Sequence, residues 1–113
     1  MKLPEDAQRL RIYIGDSDKH AGRALADVIV EAARRGGMAG ATVFHGVEGF
    51  GAHSRIHTAS ILRLSSDLPV VIEIVDSQQR IEAFLPELDR LIPEGLVTLE
   101  PVRVVVYRHG QEK

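Results

Sequence analysis

Six of the ten glycines fall between Gly36 and Gly51, in the runs Gly36-Gly37-Met38-Ala39-Gly40 and Gly46-Val47-Glu48-Gly49-Phe50-Gly51. Glycine at this density lets backbone N–H groups approach a ligand closely and take left-handed angles that other residues resist. A phosphate is the natural ligand of such a surface, although two tight turns would account for the same glycines. No Lys-Ser or Lys-Thr follows them, which excludes the phosphate loop of the common nucleotide hydrolases. The spacing is also wrong for a dinucleotide-binding turn, because these glycines lead into a loop rather than opening a helix.

After Gly51 comes Ala52-His53-Ser54-Arg55-Ile56-His57-Thr58-Ala59-Ser60, polar enough to stand as a solvent-exposed loop. Loops carried on a rigid scaffold are where recognition concentrates. Arg55 can contact a phosphate, and His53 or His57 an anion or a base edge. His53 and His57 are four apart, which on a helix would put two imidazoles on one face for Zn or Cu, but no third ligand is obvious nearby. Ser54, His57 and Glu48 could be strung into a nucleophilic triad, yet any polar loop offers such a trio. Asp16 and Asp18 sit in a turn, where Asp bonds its own backbone. Glu73 stands alone in an apolar run, either as an edge residue or as half of an ion pair. The set argues for binding and against an enzyme.

The elements that must position these groups are short and regularly punctuated. Gln8 to Ile14 alternates, with Leu10, Ile12 and Ile14 on one face and Arg9, Arg11 and Tyr13 on the other, as in a half-buried strand. Ala21, Leu25, Val28, Ile29 and Ala32 then recur at helical spacing, Arg23–Asp27 and Glu31–Arg35 are opposite charges four apart, and Gly36-Gly37 closes the helix. Ala41 to Val47 reads as a second strand and Leu68 to Val75 as a third, with Pro69 near its start. Ser77 caps a second helix with the stripe Ile81, Phe84, Leu85, Leu88 and Ile92, which Pro86 should kink or restart. Leu96 to Arg108 reads as a last strand broken by Pro101.

The order strand, helix, strand, strand, helix, strand predicts an α+β protein: a ferredoxin-like βαββαβ sandwich, its antiparallel four-stranded sheet carrying both helices on one face. The third and last strands are apolar at both parities, at Val70 to Val75 and Val104 to Val106, so the helix-free face needs burial as well. A homo-oligomer that packs those faces together meets the need.

Composition agrees with one domain. The chain has 113 residues, 44% hydrophobic and 27% charged, and no cysteine, which removes thiol nucleophiles, Cys-based zinc sites and iron–sulfur clusters. Its net charge is −2, so no global field draws it to nucleic acid or an anionic membrane. The opening MKLPEDAQRL is charged and lacks an apolar core, and no aliphatic run is long enough to span a bilayer. A soluble cytoplasmic protein with no required cofactor is expected.

With these residues in hand, the sequence resembles the PII-like family of trimeric signalling proteins. Met38-Ala39-Gly40-Ala41-Thr42-Val43, continued through Glu48-Gly49-Phe50-Gly51 to His57, looks like the family's second strand and the start of its long T-loop. Val71-Ile72-Glu73-Ile74-Val75 looks like its third strand, and Val102-Arg103-Val104 through Arg108 to Gly110 like its last strand and tail. Arg-Ile-Tyr-Ile-Gly from Arg11, Gly-Ala-Thr-Val from Gly40, Ser-Arg-Ile-His-Thr-Ala from Ser54 and Asp-Leu-Pro-Val-Val from Asp67 resemble the family's uncharacterised PII-related branch.

The resemblance covers nearly the whole chain. It implies a single PII-like domain over residues 1–113 with loose ends at 1–7 and 110–113, assembled as a homotrimer that binds an adenine nucleotide between subunits. By position, Gly40 and Thr42 would lie at the adenine, Val75 would line the base pocket, Gly49, Gly51 and His53 would sit near the phosphates, and Arg108 would reach them from the last strand. Ser54, Arg55, His57 and Thr58 would belong to the loop that meets a partner, for which the resemblance suggests a membrane transporter or channel. Only Pro93-Glu94-Gly95 stands where nitrogen-regulatory members carry a glycine-rich phosphate loop, and Val106 replaces a second tail arginine. That reduced set favours AMP or ADP over ATP. The copper-tolerance relatives of the fold suggest the alternative of a metal-responsive trimer binding Zn or Cu through His53 and His57.

Overall fold

Alternation in the first strand is what places the core. In the computed structural model, which describes residues 3–50 and 67–108, β1 (Asp6–Gly15) buries Leu10, Ile12 and Ile14 and turns Arg9, Arg11 and Tyr13 to the opposite face. The strand begins two residues earlier than its alternation indicates. Asp6 and Ala7, expected in a loose end, already belong to it, and Ala7 is buried.

A short hairpin follows, β2 (Lys19–His20) and β3 (Arg23–Ala24), turned through Ala21 at φ 52° and Gly22 at φ 81°. Two consecutive left-handed residues give the tight hairpin turn whose twist suits antiparallel strands. The helical periodicity beginning at Ala21 is therefore cut short, and α1 spans Leu25–Arg35. Arg23 lies ahead of this helix and bonds Glu31 rather than Asp27, at 2.9 and 2.5 Å, while Arg35 reaches Glu87 at 3.8 Å rather than Glu31. Gly36-Gly37 does end α1. Gly37 takes φ 79°, its N–H bonds the Arg34 carbonyl and the Met38 N–H bonds that of Ala33, a paired closure that favours glycine at the left-handed position.

β4 (Thr42–His45) and β5 (Pro69–Asp76) are followed by α2 (Gln78–Leu91) and β6 (Leu96–Arg103). The Ser77 hydroxyl caps α2 by accepting the Arg80 N–H at 3.2 Å. α2 continues through Pro86 without restarting. Pro86 is exposed, so water can satisfy the carbonyl its missing N–H leaves unbonded, while Ile81, Phe84 and Leu88 stay in one buried stripe. Pro101 does not break β6, because β6 is an edge strand and needs no donor on its outer side. The ladder ends at Arg103, short of the expected Arg108.

The sheet order is β4-β5-β1-β6 with every neighbouring pair antiparallel, the ferredoxin-like arrangement predicted from the element order. Leu25, Ile29, Ala32, Ala33, Ile81, Phe84 and Leu88 of the helices close one core with the inward residues of β1 and β5. The other face carries charge and apolar surface together. Register aligns Arg11 with Glu73 and Thr98, and Arg9 with Val75 and Glu100, while Phe44 and Leu96 are half exposed.

Candidate functional site

At the end of the sheet where β1 and β4 begin and β5 and β6 finish lies an open cleft of about 790 Å³, within the range of small-molecule sites. Arg9, Thr42, Glu73 and Val75 line it from the helix-free face, one wall is Ala39–Ala41, and the other is the segment from Val102 to Tyr107. Beyond β6 this last segment is held at Val104, whose N–H bonds the Glu5 carbonyl at 2.8 Å, and at Tyr107, whose hydroxyl meets the Ala39 carbonyl at 3.5 Å.

The Ala39 wall owes its place to the close of α1 and to Asp76. Asp76 is completely buried at the end of β5. One carboxylate oxygen accepts the Ala39 N–H at 2.8 Å and the other the Ser77 N–H at 2.7 Å, with an Arg80 guanidinium nitrogen 4.0 Å away. Backbone donors and a nearby cation are what make a buried carboxylate tolerable. Arg80 also donates to the Gly37 carbonyl at 3.4 Å, so the junction of β5 and α2 grips the turn leaving α1 at two points.

Charge on the helix-free face is paired across strands. Arg9 bonds Glu100, and Arg11 bonds Glu73 at 2.9 Å and lies 3.8 Å from Glu100; at the end of the ladder Arg103 bonds Glu5, which precedes β1, at 2.7 Å. The hydrogen bond from Arg9 holds the Glu100 carboxyl below the usual carboxylate range, with Coulomb attraction adding to it. The hydrogen bond to Glu73 raises Arg11 in the same way. Glu73 is thus a paired charge on an interior strand and not an edge residue.

Of the residues expected to hold a ligand, Gly40, Thr42 and Val75 share this cleft. Arg108 is exposed and follows Tyr107 at its rim. Gly49 is elsewhere: it lies against Pro69 at the start of β5, six residues and about 20 Å of strand from Val75. Gly51, His53, Ser54, Arg55, His57 and Thr58 lie outside the described residues. Among the described residues, no group of three or more His, Asp or Glu could hold a metal ion, and no helix is long and apolar enough to cross a membrane.

Sequence reasoning missed Arg9, Asp76, Arg103 and Tyr107 as site residues. Alternation in β1 signals that Arg9 shares the helix-free face. The closure on Ala39 by Asp76, 37 positions away, leaves no local trace.

Glycine carries a second message here. A Cβ on Gly46 would stand 2.6 Å from Pro69 Cγ, so that glycine serves the close packing of two strands. Gly40 has no atom of the described residues within 4 Å of where its Cβ would stand and no left-handed φ, so nothing in the packing among the described residues demands glycine there.

The ferredoxin-like α+β sandwich is a fold shared with solved PII-like proteins. The structure of CPII bound to ADP and bicarbonate, from Thiomonas intermedia K12, superimposes with TM-score 0.57 over 88% of each chain at 17% identity. A Thermus thermophilus protein described as PII-like gives TM-score 0.60, covering 88% of this chain and 90% of its own, at 20% identity. In sequence, a UPF0166 protein of Aquifex aeolicus is 36% identical over 96 residues, 85% of this chain and 90% of the relative. A UPF0166 protein of Methanocaldococcus jannaschii is 36% identical over 99 residues, 87% of this chain and 91% of the relative. The family model DUF190 (Uncharacterized ACR, COG1993) matches residues 7–104, and the chain belongs to that family.

Proposed function

We propose that this protein is a non-enzymatic, PII-like homotrimeric regulator that binds AMP or ADP in clefts between subunits. In this reading Gly40, Thr42 and Val75 of one subunit receive the nucleoside and the tail around Arg108 meets the phosphates. The glycine-led stretch at Gly49, Gly51 and His53, its Gly49 too far from Val75 within one chain, reaches them from the neighbouring subunit. The loop residues Ser54, Arg55, His57 and Thr58 meet a partner, a membrane transporter or channel. The ligand acts by binding one loop state better than another, since a ligand indifferent to state shifts nothing.

The observation that carries the reading is Gly40: a glycine at the cleft wall that the packing among the described residues does not require, beside Thr42 and Val75. Support for the ligand class comes from the fold, because CPII, which shares it, has been solved with ADP and with AMP. Support for assembly comes from the helix-free face, where Phe44 is 50% and Leu96 56% exposed in the single chain. Calorimetric titration with AMP, ADP and ATP, alongside a solution mass measurement, tests it. Saturable binding of AMP or ADP to a trimer is the expected result. A folded trimer that binds none of the three overturns the nucleotide reading.

A further inference from the structure

The cleft's Ala39 wall hangs on a residue that does not line the cleft. Asp76 is fully buried, and its two carboxylate oxygens are divided between the Ala39 and Ser77 N–H groups. The Ala39 peptide unit is thereby held at its N–H from within the fold, while its carbonyl meets Tyr107 from across the cleft. Arg80, one turn into α2, touches both the Gly37 carbonyl and the Asp76 carboxylate. No helix or strand includes residues 36–41, and beyond Met38, whose N–H bonds the Ala33 carbonyl, it is these bonds that hold the Ala39 peptide unit.

We propose that Asp76 is the positioning residue of the cleft, setting the Ala39–Thr42 backbone for ligand without touching the ligand itself. The inference rests on the nucleotide reading above and deepens it. An ionised carboxylate suits the task because each of its oxygens accepts, whereas an amide in the same place would turn an NH2 group toward one of the two N–H donors. Arg80 is the supporting cation, whose removal loosens the same turn from its Gly37 side.

The test compares Asp76→Asn and Arg80→Gln with wild type by AMP and ADP titration, thermal melting, and hydrogen exchange of the Ala39 amide. Leu25→Ala, at the first turn of α1 where its N–H bonds the Asp18 carbonyl beyond the far end of β1, serves as a control that lowers stability away from the cleft. Asp76→Asn is expected to accelerate exchange at Ala39 and to weaken AMP or ADP binding about tenfold, the size of one lost charge-assisted hydrogen bond. Arg80→Gln should act in the same direction by a smaller factor, and it carries the test by itself should Asp76→Asn not fold. Leu25→Ala should lower the melting temperature with affinity unchanged. Affinity at the wild-type value in the folded Asp76 or Arg80 variant, or an equal loss in Leu25→Ala, overturns the positioning role. Wild-type protein that binds neither nucleotide overturns the functional reading and this role with it.

Discussion

Two glycines that look alike in the sequence should respond oppositely to the same substitution. At Gly46 a new Cβ would meet Pro69 Cγ at 2.6 Å and the Pro69 carbonyl at 3.2 Å. Neither can retreat freely, because the Gly46 N–H bonds that same carbonyl at 2.7 Å. Overpacking of this kind costs about 1–3 kcal/mol. At Gly40 the new methyl meets nothing among the described residues within 4 Å, and φ is not left-handed, so Gly40→Ala should stabilise. The source is the lower entropy of the unfolded chain, about 0.4–1 kcal/mol. For a chain of this size a kcal/mol moves the melting temperature by about 4 °C or somewhat more. Gly46→Ala should therefore lower it by roughly 4–12 °C and Gly40→Ala raise it by roughly 2–4 °C. Calorimetric melting of the two variants and wild type reads both signs. AMP titration of Gly40→Val, which adds a branched side chain at a residue lining the cleft, should show binding lost with the fold intact. A Gly40→Ala variant that melts as low as Gly46→Ala would refute the reasoning, because Gly40 would then serve packing and not the ligand. Unchanged AMP affinity in a folded Gly40→Val protein would remove the ligand from this wall.

Two further outcomes follow from the core and the paired face. Ile72 is wholly buried on an interior strand, and Ile72→Ala should cost about 2–5 kcal/mol by equilibrium denaturant unfolding; a loss below that range would mean the sheet can collapse around the vacancy. Glu100, held below the usual carboxylate range by the hydrogen bond from Arg9, contributes stability that is fully present above its unfolded value near pH ~4.3. That contribution is lost as pH falls through the lower folded value, so Glu100→Gln should flatten this part of the acid limb of a melting series between pH ~7 and ~3.

Both helices, β1 and β5 were legible in the sequence because each buries a single face, whereas β4 and β6, which bury none, were legible only from strand-favouring residue types between turn signals. The β2–β3 hairpin was not. Ala21 sits at helical spacing from Leu25, and only the left-handed angles at Ala21 and Gly22 show that the chain turns there first. Pro86 and Pro101 misled for a related reason: a missing donor is disruptive only where no water or open edge can substitute, and exposure is a tertiary fact. For the site, Gly40, Thr42 and Val75 were reachable by resemblance. Asp76 was not, since an acid between an apolar strand and a capped helix looks like the first charge of a solvated face. The pairs Arg9–Glu100 and Arg11–Glu73 depend on the register of β1 against both neighbours, which alternation leaves open.

Pairing on the helix-free face also constrains what the cleft can gain from phosphate. Arg9 and Arg103 line it, yet each is bonded within the chain, to Glu100 and to Glu5, and Arg11 spans Glu73 and Glu100. Exchanging a carboxylate partner for a phosphate at a half-exposed guanidinium gains little, since such pairs are worth about 0–1 kcal/mol. Affinity in the nucleotide reading then comes chiefly from burying the nucleoside against Ala39, Ala41, Val75, Val102 and Val104. Adding phosphates from AMP to ATP should accordingly change affinity by less than about tenfold, and raising KCl from ~50 to ~500 mM should weaken AMP by less than about threefold. Adenosine should compete with AMP. A steep gain with each phosphate, or a steep loss with salt, would refute this division and assign most of the affinity to Arg108 at the rim instead.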